Sequence, residues 1–393
     1  MVAARLAKNG LADYHLKQTL QADDPDVMEL QPMFRSITVT NFRGFSKLAV
    51  APLSRVNLVV GRNNVGKTGL LEAVFLLVGP TNPQLTVKLG GIRGVTEFRN
   101  DAEDIWGWLF FEKRTHKPID IKAESENRKN RTLTITLADP KKSNIGVTRV
   151  GARNKWTKSR GGTFDASSST STPSQLNLKY WDEDGTIYEA RATVKEDTIA
   201  LEHVKPFKAP MSIYLGSKAG YITENADRFS KLEEIGKQDE LLPAMKIIEP
   251  RLKRMAILVT GAGPVVHADI GTGRMIPVQF MGDGMGRLLS ILLAIHESPG
   301  GVVLVDEVEN GLHYSAMKPV WGAIAIAARD FNVQVISTTH SWECLRAAHE
   351  ALVDSAEYDL TVHRLDRRDG QIESLALDRR MVQKALEAGM ELR

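Results

Sequence analysis

Eight consecutive residues, Gly61 to Thr68, carry the clearest chemistry in this sequence of 393 residues. Their order fits the pattern G-x-x-x-x-G-K-[ST] at every position. In such a loop the glycines let backbone N–H groups point at phosphate oxygens, the lysine adds a positive charge, and the threonine hydroxyl binds Mg²⁺. The pattern therefore predicts a site for ATP with Mg²⁺. The loop residues expected to contact the nucleotide are Gly61, Asn63, Asn64, Val65, Gly66, Lys67, Thr68 and Gly69, with Lys67 also acting in catalysis.

A second acidic element follows an apolar run from Val302 to Val305. Ligands of α/β sheets bind beyond the carboxyl ends of the strands, so Asp306 and Glu307 are expected to face the phosphate loop. Asp306 would hold Mg²⁺ through water, and Glu307 would polarise the attacking water. By itself, a strand that ends in two acids is usually a strand meeting solvent; together with the phosphate loop, it predicts ATP hydrolysis.

His340 closes the next predicted strand, which covers residues 333–337. An imidazole at this position could reach the γ-phosphate and take part in catalysis. A histidine at a strand end can equally be structural.

The elements that must position these residues follow an α/β pattern. Residues near both ends of the chain alternate between short apolar runs and helical spacing, whereas residues 118–205 alternate with a period of two. This predicts a mainly parallel sheet flanked by helices, together with an antiparallel lobe. The predicted segments are an N-terminal tail (1–32), an N-terminal ATPase half (33–115), an antiparallel β insert (116–205) with a mobile loop (159–174), a helical insert (206–265) whose helical stretch over 225–258 is divided by Pro243 and Pro250, a C-terminal ATPase half (266–355), and a final hairpin and helix (356–393).

Composition limits the other function classes. No apolar stretch approaches the roughly 18 residues of a membrane span, and no signal-peptide pattern precedes residue 32. A single cysteine, Cys344, excludes an internal disulfide. These features predict a cytoplasmic protein that does not enter a membrane.

Positive charge is concentrated between residues 113 and 160, where 14 Lys and Arg residues stand against four acids, although the whole chain has a net charge of only +3. Such a segment could follow a nucleic-acid backbone. It could also be a solvated, lysine-rich sheet edge that discourages aggregation.

Five stretches together (37–45, 61–68, 280–289, 305–313 and 337–341) resemble the ABC-type ATPase heads of the SMC/RecF branch, and more closely the OLD-like AAA family ATPases of prokaryotes. The resemblance implies a P-loop NTPase fold with an ABC-type head. It also implies a homo-oligomer in which two heads face each other and sandwich ATP. Each head would complete its partner's site with a signature segment, here Gly282, Asp283 and Gly284. Arg43 would touch the nucleotide as in SMC-like heads, although a surface arginine in a turn is an equally simple interpretation.

The same comparison shows departures from transporter motors. The signature has no serine, His313 stands where transporters have aspartate, and a Q-loop is not evident. The 53 residues after His340 are too few for the nuclease domain of OLD proteins. The resemblance therefore implies a nucleotide-driven dimerisation switch that controls a separate effector protein, as in anti-phage defence systems. The alternative is a DNA-binding ATPase of RecF or SMC type in repair or genome maintenance.

Overall fold

The computed structural model describes residues 33–93, 102–138, 175–195, 198–203, 207, 209, 211–217, 222–261, 263–353 and 358–389. The predicted N-terminal tail, the loop at 159–174 and the second half of the basic segment lie outside the described residues.

Sixteen strands and nine α-helices are assigned within the described ranges. In chain order the strands are β1 (Phe34–Phe42), β2 (Phe45–Val50), β3 (Val56–Val60), β4 (Ile119–Ser125), β5 (Asn130–Ala138), β6 (Gln175–Trp181), β7 (Ile187–Lys195), β8 (Thr198–His203), β9 (Ser212–Leu215), β10 (Arg254–Thr260), β11 (Gly263–Asp269), β12 (Ile276–Pro277), β13 (Val302–Val305), β14 (Gln334–Thr338), β15 (Leu360–Arg368) and β16 (Gln371–Leu377). The helices are α1 (Lys67–Val78), α2 (Gln84–Ile92), α3 (Ala102–Trp106), α4 (Ile222–Glu234), α5 (Leu242–Met245), α6 (Asp283–Glu297), α7 (Tyr314–Asp330), α8 (Trp342–Leu352) and α9 (Arg379–Glu387).

The sheet that carries the phosphate loop has six strands in the order β16-β15-β3-β14-β13-β9. All neighbouring pairs are parallel except β15 and β16. Every residue of β3 and β13 is buried, because a parallel sheet is covered on both faces. The predicted mainly parallel sheet is confirmed, and the strand order places the ends of β3, β14 and β13 side by side.

A second sheet forms the antiparallel lobe, with the order β2-β1-β4-β5-β6-β7-β8. All of its neighbouring strands are antiparallel. The turn between β6 and β7 contains Asp184 and Gly185, and Gly185 has φ +77°, which suits the Asp-Gly sequence of a tight hairpin. The predicted α/β architecture with an antiparallel lobe is therefore correct.

Helix α1 lies between these two sheets. Its residues from Gly69 to Val78 are all buried, in a core that contains Val39 and Ile121 of the antiparallel sheet and Leu304 and Ile336 of the parallel sheet. This two-sided cover explains why the helix is apolar almost all round. The opposite face of the parallel sheet packs against α6, α7 and α8.

The stretch between the two ATPase halves contains more strand than the sequence predicted. The helix expected over 225–258 ends at Glu234, and residues 254–260 instead form β10, which pairs antiparallel with β11. Pro250 interrupts the helical pattern, and the β-branched run beyond it gains a complete ladder of backbone hydrogen bonds. Strand β9, in the same stretch, completes the parallel sheet. The division of the chain into segments stays a prediction.

Within the described residues, every helix is too short or too polar to cross a lipid bilayer.

Candidate functional site

The phosphate loop joins β3 to α1 and depends on two glycines. Gly61 has φ +144°, and a Cβ there would lie 2.5 Å from the carbonyl oxygen of Leu365. Gly66 has φ +97°, and its Cβ would meet the ring of Phe45 at 2.7 Å. Glycine is required at both positions by conformation and by space.

Lys67, at the first position of α1, folds back over this loop. Its ammonium donates hydrogen bonds to the carbonyl oxygens of Gly61 at 2.6 Å and Arg62 at 3.1 Å. Burial lowers the pKa of Lys67, and the nearby carboxylates oppose that shift. The lysine is thus a partly desolvated cation held over the concave side of the loop.

Oxygen atoms converge beside the loop, where Thr68 meets the end of β13. The Thr68 hydroxyl donates to the Asp306 carboxylate at 3.0 Å, and the Thr338 hydroxyl donates to Asp306 Oδ1 at 2.6 Å. Burial raises the pKa of Asp306, although both hydroxyl donors favour the charged form. Mg²⁺ prefers oxygen ligands, so the hydroxyl of Thr68 and the carboxylate of Asp306 fit this ion.

Glu307 occupies a sharp turn directly after Asp306, with φ +50°. Its amide donates to the Thr338 hydroxyl at 2.8 Å, and its Oε2 accepts a hydrogen bond from the Asn310 side chain at 2.8 Å. A left-handed conformation is unusual for a residue other than glycine and is typical of functional sites. The turn aims a half-exposed carboxylate into the cavity above the phosphate loop.

His340 follows β14 and lies beside this carboxylate. Its Nδ1 is 3.9 Å from Glu307 Oε1 and 3.3 Å from Oε1 of the buried Glu309. Glu309 also accepts a hydrogen bond from the His340 amide at 3.0 Å. Glu309 therefore fixes both the backbone and the ring of His340.

Arg43 belongs to a three-residue ion cluster centred on Glu72 of α1. Glu72 is fully buried, and its two oxygens accept from Arg43 Nε at 2.8 Å and from Arg93 Nε at 2.6 Å. Burial lowers the pKa of Arg43. Burial acts on Arg93 in the same direction, but the hydrogen bond and charge of Glu72 outweigh it and raise the pKa of Arg93. Both arginines remain cations at neutral pH.

One cavity of about 1150 Å³ unites most of the predicted site. Its wall includes Arg93 and Trp108, which the sequence analysis did not single out. The predicted residues that line it are Arg43, Asn63, Asn64, Val65, Gly66, Lys67, Thr68, Gly69, Asp306 and Glu307. The geometry thus gathers the predicted residues of the loop and of the acidic turn around a single space.

The predicted signature residues lie outside the lining of this cavity. Gly282 and Asp283 are exposed at the beginning of α6, and Gly284 packs so closely that a Cβ would lie 2.6 Å from the carbonyl oxygen of Gly311. The helix begins at Asp283. In one chain, therefore, the signature and the phosphate loop form separate surfaces.

Arg287 connects these two surfaces inside the molecule. It lies on α6 and is almost fully buried, and its guanidinium donates to the carbonyl oxygens of Gly216 at 2.8 Å and Glu307 at 3.1 Å, as well as to that of Asp306. The start of the signature helix is therefore tied directly to the acidic turn.

Sequence reasoning missed several residues of this arrangement, Thr338 and Trp108 among them. A signal was available for Glu72, because it is the single charge inside the apolar run of α1, and for Glu309 and Asn310, which follow the acidic pair within one turn. Arg93 and Arg287 carry no local signal, because their partners are distant in sequence.

The buried strand, glycine loop, helix and acidic turn define a P-loop ATPase. The chain belongs to the family described as "AAA domain, putative AbiEii toxin, Type IV TA system", whose model matches residues 56–345. The protein is therefore an ATPase.

Similarity to individual proteins is weaker than the match to the family. An ATP/GTP phosphatase of Helicobacter pylori is 21% identical over 345 residues, which cover 81% of this chain and 88% of that protein. A DNA replication and repair protein RecF of Idiomarina loihiensis is 43% identical over 42 residues, 11% of this chain and 12% of that protein. A solved Smc head bound to the C-winged helix domain of ScpA is 12% identical, with a TM-score of 0.47 and coverage of 91% of this chain and 100% of that chain.

Replacing Glu72 by Gln should destabilise the protein strongly. The substitution leaves two arginines without their buried counter-charge, for which we expect a loss of about 3–5 kcal/mol in the free energy of unfolding. Denaturant unfolding monitored by circular dichroism measures it. The matched control is Glu126→Gln, which breaks the exposed pair with Arg35 and should change stability by about 1 kcal/mol or less. Equal effects of the two substitutions would contradict this account of the cluster.

Proposed function

We propose that this protein binds and hydrolyses Mg-ATP and acts as a nucleotide-driven dimerisation switch. The carrying observation is the convergence of Lys67, Thr68, Asp306 and Glu307 on one cavity. These groups are those that phosphoryl transfer to water requires: a cation for the phosphates, oxygen ligands for the metal, and a base.

The predicted residues that line the cavity have separate roles in phosphate binding, metal binding and catalysis. Phosphate oxygens replace the two carbonyls that now accept from Lys67, and the backbone N–H groups of the loop bind beside them. Thr68, and Asp306 through water, would hold Mg²⁺, which would supply positive charge against the phosphates. Glu307, kept in position by Asn310, accepts the proton of the attacking water.

His340 completes the site as a positioning group. Its hydrogen-bonded tie to Glu309 leaves the ring half-exposed beside Glu307, where it can contact the terminal phosphate. Arg43, fixed through Glu72, contributes positive charge to the same cavity.

Dimerisation follows from the separation of the signature from the phosphate loop. Gly282 and Asp283 present the N-terminus of the 15-residue helix α6 to solvent, where its N–H groups can bind the terminal phosphate held by a second copy. Binding of a second copy at this helix would affect Glu307 through Arg287, because Arg287 joins the helix to the backbone of Glu307. ATP would thus close two heads, and hydrolysis would release them.

Two variants separate binding from hydrolysis. Glu307→Gln removes the base and should lower the hydrolysis rate by about 100-fold or more, while ATP binding and the ATP-dependent dimer persist. Lys67→Ala should lose ATP binding and the dimer together. Phosphate release, calorimetry and light scattering measure the three properties, and Glu373→Gln, an exposed carboxylate outside the cavity, is the control. If Glu307→Gln hydrolyses ATP at the wild-type rate, Glu307 is not the base.

We further propose that the switch controls a separate effector in a prokaryotic, cytoplasmic anti-phage system, and that the active form is a homo-oligomer. The family description, which names a toxin of a toxin–antitoxin system, supports a role in conflict or abortive defence. Cells carrying this gene with its neighbours should plate phage at least about tenfold less efficiently than cells carrying the Lys67→Ala form. Equal plaque counts for the wild-type locus and an empty vector, over a broad phage panel, would count against the defence role.

The second candidate is a DNA-binding ATPase of RecF or SMC type, favoured by the 42-residue similarity to RecF. The described part of the basic segment partly opposes it, because Lys129 pairs with Asp184 at 2.8 Å and Arg131 with Glu183 at 2.9 Å. These pairs neutralise part of the basic segment and oppose a phosphate-binding surface, and this part of the segment is not a sheet edge, because β4 and β5 lie inside the seven-stranded sheet.

DNA binding decides between these candidates. A RecF-like role predicts binding of duplex DNA whose affinity falls steeply as salt increases, and which weakens further in a Lys122→Glu, Arg128→Glu double variant of exposed basic residues. Fluorescence anisotropy measures it. The switch proposal predicts no measurable binding at low salt.

A further inference from the structure

We propose that the indole of Trp108 is the platform on which the purine ring of the nucleotide stacks. The inference rests on the proposed function, because it assigns the base-binding part of the same cavity. Three features of Trp108 support the inference: its position, the support of its backbone and its exposed ring surface.

The first reason is the position of Trp108. It lines the same cavity as Lys67 and the acidic turn, yet it belongs to a different part of the chain, a short 3-10 turn over Gly107–Leu109. The cavity, at about 1150 Å³, is larger than a triphosphate with its metal requires, so its wall beyond the loop must serve the rest of the ligand. On that wall, Trp108 presents a large aromatic side chain that is 64% exposed.

The second reason is the rigid support beneath the ring. Trp106 and Leu109 on either side are buried, and the Trp106 indole donates a hydrogen bond to Thr86 at 3.0 Å. The carbonyl oxygens of Trp108 and Leu109 accept from Arg43, at 3.1 Å from its guanidinium and 2.7 Å from its amide. The backbone of Trp108 is therefore fixed to the same arginine that Glu72 holds beside the phosphate loop.

The third reason is how the indole itself is covered. The Lys113 ammonium lies 4.3 Å from the ring centroid, a cation–π contact on one face. A ring that has one face capped by a cation and is otherwise largely exposed offers the other face to a flat ligand. Aromatic side chains that bind bases stack on them through an exposed ring face of this kind. The larger purine ring gains more stacking energy from such a face than a pyrimidine ring does.

Asp104 and Glu112 also line the cavity, and the Glu112 carboxylate pairs with the Arg114 guanidinium. Adenine, guanine and cytosine all carry an exocyclic amine that can donate to such carboxylates, so the preference for a purine rests on the larger ring area that stacks on Trp108. The ligand class is therefore a purine nucleoside triphosphate, bound by its phosphates at the glycine loop and by its base at Trp108.

Calorimetric titration with ATP, GTP, CTP and inorganic tripolyphosphate, each with Mg²⁺, tests the assignment on the full chain. The wild type should bind ATP and GTP more tightly than CTP or tripolyphosphate. Trp108→Ala should weaken ATP and GTP binding by about tenfold or more and leave tripolyphosphate binding unchanged, whereas Trp108→Phe should recover part of the loss. Because the side chain is exposed, the Ala variant should keep the wild-type circular dichroism spectrum.

The matched control is Trp181→Ala, which removes a second tryptophan capped by a lysine, with Lys179 Nζ 5.1 Å from its centroid, but on β6 outside the cavity lining. It should leave all four affinities unchanged. Unchanged ATP binding in Trp108→Ala overturns the platform alone, as does an equal loss for ATP and tripolyphosphate. A wild type that binds neither ATP nor tripolyphosphate overturns the platform together with the proposed function.

Discussion

The buried carboxylate of Glu72 is the constraint on which the rest of the site depends. A charge in the middle of an apolar helix is expensive unless it is fully paired, and here two arginines satisfy it from opposite sides. Arg43 comes from the turn between β1 and β2, and Arg93 from the residue after α2. The pairing therefore fixes the antiparallel lobe, the phosphate-loop helix and the cavity wall relative to one another.

A second link of the same kind joins the other half of the site. Arg287 donates from α6 to the backbone of the acidic turn, so the exposed start of this helix and the acidic turn share one rigid connection. Both links use arginine, whose forked donors can satisfy several acceptors at once. Under the proposed function, the Arg287 link would transmit the association of two heads to Glu307.

The sequence located the chemistry well because the chemistry is local. The phosphate loop needs glycines at fixed spacing from Lys67, since Gly61 and Gly66 adopt positive φ and have no space for a Cβ. The buried strands β3, β13 and β14 appear as short apolar runs bounded by these motifs, so the parallel sheet was also predictable. The helix expected through residue 258 was wrong because the strand β10 depends on its partner β11, which helical spacing cannot reveal.

The sequence by itself determined the presence of a P-loop ATPase, the positions of its glycine loop and acidic turn, and the division into parallel and antiparallel sheets. Only the tertiary structure decided that Glu72 pairs with Arg43 and Arg93, that Glu309 holds His340, and that Trp108 lines the cavity. The physical reason is that the first set follows from backbone conformation and hydrophobic periodicity along a few residues. The second set consists of pairings between distant segments, which exist only when both sheets have closed around α1.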